Sequence, residues 1–326
     1  MRAAFIGTGG ISRRHAEGLA KRDDITFVGA FDIVAERAHS FVAKYGGSAY
    51  SDDVAAMLDA TRPDAAWVCL PPFAHGQAER ALLERRIPFL VEKPISNSMD
   101  TARGILEEVE RTGTLAVAGY MNRYRRGVSR VRELLADDPP VLVHGGWVGG
   151  MPGVHWWRVK AESGGQIVEQ TTHIFDLVRY IVGEPELVYA QGVRGFVRDV
   201  PDYDVEDAST VAIQFASGAV GNLMSSCAGR TGAGGVHLTL AAMRHYITFT
   251  GWEHSVVIRK SRLEEERITG EPNIFEIEDN AFVEAVQTGD ASGIRSPYAD
   301  ALKTLAFCLA ASQSLETGLP VKVASV

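Results

Sequence analysis

Residues 2–12 read Arg-Ala-Ala-Phe-Ile-Gly-Thr-Gly-Gly-Ile-Ser. The run before the first glycine has the continuity of a strand buried on both faces, and Ser12 to about Lys21 carries apolar residues at helical spacing. The glycine turn between them matches G-x-G-x-x-G, except that Ser12 takes the third glycine position. Gly7 permits a tight turn, and Gly9 lets backbone approach a pyrophosphate at the helix N-terminus. Gly7, Thr8, Gly9, Gly10 and Ile11 are therefore the first candidates for cofactor binding. Asp32 closes the next apolar run, Ile25–Phe31, where a carboxylate can bind the adenosine ribose hydroxyls. That carboxylate favours NAD, since it would repel the 2′-phosphate of NADP; Arg37 is near enough in sequence to keep NADP as the second option. The competing reading is a glycine turn required only by packing, which Ser12 leaves open.

Outward from this stretch the pattern repeats. Asp64–Leu70, Ile87–Glu92 and Thr114–Tyr120 read as further strands, and Val34–Tyr45, Gly76–Glu84 and a Ser98-capped stretch to Thr112 read as helices. Continuous apolar strands alternating with helices imply an α/β domain with a doubly wound parallel sheet, placed at residues 1–121. Beyond Asn122 the rhythm changes. Helices are expected at Arg125–Ala136 and Gln166–Val182, separated by a Gly/Trp-rich loop from Gly149 to Gly165. Several strand-like runs then follow without helices between them, and helices near Asn280–Gln287 and Tyr298–Glu316 close the chain. Residues 122–326 are thus expected to form an α+β domain on an open, mostly antiparallel sheet.

Composition bounds the function. The formal net charge of −8, with no Lys/Arg block, argues against a nucleic-acid partner. No apolar run approaches the roughly 18 residues of a membrane span. The N-terminal apolar stretch is too short for a secretory signal. Cys69, Cys227 and Cys308 are scattered, without C-x-x-C spacing, and read as reduced core residues. The expected location is the cytoplasm.

Four motifs carry chemistry. In Cys69–Gln77 (CLPPFAHGQ), Pro71, Pro72 and His75 follow a parallel strand, at the carboxyl edge where open α/β sheets bind ligands; a rigid turn with a solvent-facing histidine is the alternative. Glu92-Lys93-Pro94 ends the fourth strand at that edge. Burial and a cationic nicotinamide would ease deprotonation of Lys93 near neutral pH; the alternative is a strand-end salt bridge. In Ser163–Asp176 (SGGQIVEQTTHIFD), a helix starting near Gln166 makes Glu169 and His173 i, i+4 neighbours, with Asp176 three further on. A carboxylate one turn from an imidazole suits a substrate hydroxyl. A metal reading lacks a third ligand and the H-E-x-x-H pattern, so no metal is expected. The loop His155–Lys160 (HWWRVK) holds Trp156, Trp157 and Arg158; exposed aromatics suit sugar faces, core tryptophans being the alternative. Asn122, Arg123 and Tyr124 follow the last strand of the first domain and are further substrate candidates.

Taken in this order and spacing, GTGGIS, CLPPFAH, VEKP and SGGQIVEQTTHIFD resemble the glucose–fructose oxidoreductase / inositol dehydrogenase / MocA (Gfo/Idh/MocA) family. The likeness continues through Glu206–Leu223 and the closing Ala299–Val321. The resemblance implies a Rossmann domain, NAD or NADP as cofactor, sugars or cyclitols as substrates, and an open sheet that builds homodimers or homotetramers. Lys93 matches the family's E-K-P lysine and His173 its catalytic histidine; the family does not decide which is the principal acid/base. Glu169 stands where aspartate is commoner, and a Trp-Arg pair like Trp157–Arg158 reaches the cofactor in some relatives. The function implied is hydride transfer between a sugar or polyol and nicotinamide. The rivals are a redox-neutral NAD-dependent glycosidase, as some relatives are, and a non-catalytic cofactor-binding regulator.

Overall fold

The structure, a computed structural model, describes residues 1–229 and 234–326. The chain divides into two compact units: Met1–Met121 with Asn273–Leu302, and Asn122–Pro272 with Lys303–Val326. Residues Asn273–Leu302, expected in the second domain, therefore belong with the first. The reason lies in the first unit's core. Phe282 and Val283 pack into the cluster built around Phe5 and Trp67, and the Trp67 indole N–H donates to Asp279 at 2.8 Å.

In the first unit, strands β1 (Arg2–Ile6), β2 (Thr26–Phe31), β3 (Ser48–Tyr50), β4 (Ala65–Val68), β5 (Phe89–Val91) and β6 (Ala116–Ala118) form one sheet. Its order is β3-β2-β1-β4-β5-β6, with every pairing parallel. Helices Gly10–Leu19, Ala35–Tyr45, Val54–Thr61, Gln77–Glu84 and Met99–Thr112 connect successive strands. This is the doubly wound order, and the progression reverses between β1 and β4, the switch point where such sheets bind ligands. The core is aromatic: the Phe5 ring lies 5.5 Å from Trp67 and 5.0 Å from Phe41, and Phe282 meets Trp67 edge-on at 5.2 Å. Ser98 caps its helix as its sequence position implies, accepting from the Thr101 amide at 3.4 Å.

In the second unit, β7 (Leu142–Val148), β8 (Pro185–Val193), β9 (Ala208–Phe215), β10 (Val220–Ser226), β11 (Gly235–Ala241), β12 (Tyr246–Thr250), β13 (Ser255–Arg259), β14 (Glu265–Ile268) and β15 (Val321–Lys322) form a single sheet. The order is β14-β13-β12-β11-β7-β10-β9-β8-β15. All pairings are antiparallel except β7 with β10. The architecture is thus a parallel Rossmann-type unit and a unit on an open, mostly antiparallel sheet. One face of this sheet is buried through Val143, Val188, Val211, Ile213, Leu223, Leu238 and Ile247. Among the described residues, no helix is long and apolar enough to cross a membrane.

Candidate functional site

In the first unit, Gly7 sits at the carboxyl end of β1 with φ +85°, and a Cβ there would lie 2.3 Å from the Cys69 carbonyl oxygen. Its amide donates to Phe31 at 2.8 Å, so the chain must turn between two fixed neighbours. Gly9 and Gly10 differ: a Cβ on either would meet nothing within 4 Å. Packing therefore does not demand glycine at these two positions. Bare backbone there opens the N-terminus of helix Gly10–Leu19, which has no side-chain cap and no acidic residue in its first turn. Uncapped amides with the positive end of the helix dipole fit a pyrophosphate. Ser12, the departure from the glycine pattern, is fully buried and donates its hydroxyl to the Gly9 carbonyl at 2.8 Å, bracing the loop.

Asp32 is buried at the end of β2. Its Oδ2 accepts from the Thr8 amide at 2.9 Å and the Thr8 hydroxyl at 3.0 Å, and its Oδ1 accepts from the Val34 amide at 2.9 Å. A carboxylate offers about four lone-pair sites, so about one is left for a ribose hydroxyl. Asp32 is therefore first a brace of the glycine loop.

Pro71 and Pro72 lead into a short 3₁₀ turn, Pro72–Ala74. His75 after it is buried, not solvent-facing. Its Nδ1 pairs with Glu79 Oε1 at 2.6 Å, and the Gly76 amide donates to Glu79 Oε2 at 2.7 Å. Burial pushes the Glu79 carboxyl up, but His75 and the Gly76 amide outweigh it and hold the group below the usual carboxylate range. The carboxylate makes Nδ1 a donor, and the buried Nε2 of the same ring has no partner among the described residues.

Glu92, at the end of β5, is buried. Its Oε1 lies 3.0 Å from His15 Nε2, and its Oε2 accepts from the Lys93 backbone amide at 3.0 Å. Lys93 itself is half-buried at the sheet's carboxyl edge.

In the second unit, the expected helix Gln166–Val182 is broken into Gln166–Glu169 and Thr172–Val182. The break falls at Gln170–Thr171, where the Thr171 amide reaches back to the Gln166 carbonyl at 2.9 Å. Glu169 and His173 therefore sit on separate helical segments, and the unbroken helix presumed by their i, i+4 spacing is interrupted between them. The Glu169 carboxylate accepts from the Trp157 indole N–H at 2.7 Å. Trp157 is a core residue, packed with Val205 and Cys227, and Trp156 is half-buried against that cluster. Trp157 is thus core packing, whereas Trp156 keeps part of its surface exposed. Arg158 is half-buried, with its Nε buried and unpartnered among the described residues.

His173 lies in the first turn of Thr172–Val182 and is only 7% exposed. Two aromatic rings flank it: Trp147 of β7, with centroids 6.1 Å apart, and Trp252, at 6.0 Å and nearly perpendicular. Trp147 and Trp252 also meet each other at 5.4 Å. Neither was legible as a site residue, because one lies in an unread strand and the other in a turn far along the chain. Asn122, Arg123 and Tyr124 are all buried. Asn122 Oδ1 accepts from Arg125 Nε at 2.8 Å, and Arg123 Nε donates to Asp176 Oδ2 at 2.8 Å while lying over the Tyr180 ring. Asp176 also accepts from the Thr304 hydroxyl at 2.8 Å, so its carboxylate anchors Arg123.

A glycine loop opening an uncapped helix at the switch point of a parallel sheet defines a dinucleotide-binding protein. The chain belongs to the Gfo/Idh/MocA oxidoreductases: residues 1–120 match the family's NAD-binding Rossmann fold and residues 131–251 its C-terminal domain. NAD is the cofactor that this fold holds. The chain is 27% identical to the myo-inositol 2-dehydrogenase of Thermotoga maritima over 69% of this chain and 68% of that protein. It is 26% identical to the inositol 2-dehydrogenase of Rubrobacter xylanophilus over 98% of this chain and 92% of that one. Its fold matches the WlbA dehydrogenase of Bordetella pertussis, solved with NADH and UDP-GlcNAcA, with a TM-score of 0.84 at 18% identity, covering 100% of this chain and 99% of that one.

Proposed function

We propose that this protein is an NAD-dependent dehydrogenase or reductase of a sugar or polyol, with Lys93 and His173 handling the proton of the reacting hydroxyl. The observation that carries the substrate class is the pair of indoles around His173. An aromatic face packs against the C–H face of a pyranose or cyclitol, and indole is the largest such surface. The relatives named inositol dehydrogenases support the same class.

Bound NAD supplies a hydride acceptor at nicotinamide C4. The remaining work falls to side chains of this chain. The glycine-loop amides hold the diphosphate, and Asp32 offers its remaining acceptor site to the ribose. His173, placed in a helix first turn, and Lys93 are the two groups assigned to exchange the proton of the substrate hydroxyl. A panel of sugars and cyclitols with NAD, read as NADH absorbance, tests the proposal. Turnover of at least one member is expected, and Lys93→Met is expected to lower kcat by roughly 10²–10⁴-fold with NAD still bound. No turnover on any member, or a Lys93→Met enzyme with more than about a tenth of wild-type kcat, would overturn it.

We also infer assembly as a homodimer or homotetramer in the cytoplasm. The outer sheet face carries exposed Leu142, Tyr189, Val220 and Tyr246, which strand register places on one side. An apolar sheet face of this kind is suited to burial against a second copy. All three cysteines are buried and unpaired, as a reducing compartment leaves them. Light scattering on the purified chain measures the oligomer, and a monomer at micromolar concentration would refute it.

A further inference from the structure

The first unit buries a charged triad that the reaction above does not use. His15, on helix Gly10–Leu19, has no exposed surface. Its Nδ1 lies 2.7 Å from Asp279 Oδ1, and its Nε2 lies 3.0 Å from Glu92 Oε1. Asp279 comes from helix Ile274–Thr288, and the same Oδ1 accepts from the Trp67 indole of β4. Glu92 comes from the end of β5, and its second oxygen accepts the Lys93 amide. Gly119, after β6, gives Glu92 its seat, since a Cβ there would lie 3.1 Å from the carboxylate carbon.

An imidazole facing a carboxylate at each nitrogen satisfies both only when both nitrogens carry protons. The neutral ring would turn a lone pair towards one of the two anions. We propose that His15 is a positioning residue for Lys93: as an imidazolium clamped between Asp279 and Glu92, it fixes the Glu92 carboxylate, which holds the Lys93 backbone and sets how the lysine side chain leaves the strand end. This rests on Lys93 being the acid/base group proposed above.

The electrostatics agree. Burial alone would drive His15 down, but Asp279 and Glu92 together raise it well above the ordinary histidine value. The other charges nearby are Arg13, Arg14 and Glu17 on its own helix, all exposed, with Glu276 and Glu278 on the Asp279 helix and Lys93 itself beside Glu92. The edge of Phe275 closes the remaining side at 5.4 Å.

Asp279→Asn tests this with little change of shape, since the amide oxygen still accepts from His15 and Trp67. With one carboxylate gone, burial favours the neutral ring at neutral pH, and the clamp on Glu92 loosens. The expected kcat falls about 10- to 100-fold at pH 8 and recovers as pH is lowered, whereas wild type shows no such recovery; displacements well under 1 Å can act on this scale. NADH dissociation constant and melting temperature should stay close to wild type. His15→Gln should lower kcat similarly at every pH. A ¹⁵N NMR spectrum of the wild-type protein should show both His15 ring nitrogens protonated at pH 7. A neutral wild-type ring, a pH-independent kcat ratio for Asp279→Asn, or losses of NADH binding and melting temperature that match the loss of kcat would overturn the proposal. Lys93→Met separates the two readings: if it keeps kcat, the assignment of Lys93 fails; if it abolishes kcat while Asp279→Asn behaves as wild type, only the role of His15 fails.

Discussion

Gly7→Ala and Gly10→Ala make opposite changes three residues apart, and the glycine loop's geometry separates them. At Gly7 a Cβ would stand 2.3 Å from the Cys69 carbonyl oxygen, 2.8 Å from its carbon and 3.2 Å from Leu70 Cδ2, on a backbone with φ +85°. Neither side can retreat. The Gly7 amide is bonded to Phe31 of β2 at 2.8 Å, and the Cys69 amide to Ile6 of β1 at 2.7 Å. A left-handed non-glycine residue costs about 1–2 kcal/mol, and overpacking a fixed site about 1–3 more. The sum, about 2–5 kcal/mol, corresponds to a fall of about 4–20 °C in Tm for a domain of this size. At Gly10 a Cβ meets nothing within 4 Å, and alanine is the better helix former by up to about 1 kcal/mol. Gly10→Ala should therefore leave Tm level or raise it. Its methyl would instead crowd the uncapped amides, and loss of one amide bond to a charged phosphate, about 1.5–3 kcal/mol, weakens NADH about 10- to 150-fold. Calorimetry gives Tm, and fluorescence titration gives the NADH dissociation constant. The reasoning fails if Gly7→Ala melts within about 2 °C of wild type, half the smallest shift expected, or if Gly10→Ala binds NADH as tightly as wild type.

Catalytic efficiency should be higher with NAD than with NADP, because the Asp32 carboxylate is pinned by Thr8 and Val34 and cannot swing from a 2′-phosphate; equal or better efficiency with NADP would refute this. Asp176→Asn should destabilise the second unit by about 1.5–3 kcal/mol in a urea titration, since it replaces a charged acceptor of the buried Arg123 guanidinium with a neutral one. Burial, with the Arg125 cation adding to it, lowers His254 from the usual 6.5 to about 3. The unfolded chain then binds a proton that the folded one refuses, so stability is lost as pH falls from about 6.5 towards 3, by up to about 1.4 kcal/mol per pH unit. His254→Asn should flatten that acid slope, and an unchanged slope would exclude His254 as its source.

What the sequence shows best is what is local. The β1 strand, its glycine turn and the following helix are adjacent in the chain, so one short window carries periodicity, turn chemistry and the phosphate site together. Ser98 capping Met99–Thr112 is legible for the same reason. The three residues of β3 offer too short a pattern to read, and in β7 a histidine and two glycines interrupt the apolar run, so the strand looks like loop. Its partners β10 and β11 supply the order that its own side chains do not.

The sites divide along the same line. Lys93 and His173 stand out because each closes or opens an element whose neighbours in sequence are unambiguous. The groups that hold them come from elsewhere: Asp279 reaches His15 across 264 positions, and Trp252 reaches His173 from a turn after β12. Glu169 shows how local periodicity can miss a break in a helix. The i, i+4 spacing to His173 presumes an unbroken helix, but the segment begins on Gly164 and Gly165, whose positive φ values lead into a single turn, with Glu206 accepting the Gln166 amide at 3.0 Å. The chain then restarts at Thr172 in a helix whose Ile174, Phe175, Leu177 and Val178 are fully buried. Burial of that second helix fixes where His173 points, and the Trp157 indole fixes Glu169. A substitution at Glu169 therefore also acts on the packing of Trp157. Glu169→Ala would strand a buried indole N–H at about 1–3 kcal/mol in stability, whereas Glu169→Gln keeps an acceptor oxygen and should fold as wild type. Loss of stability in both variants alike would mean that the carboxylate charge, and not the hydrogen bond, holds the loop.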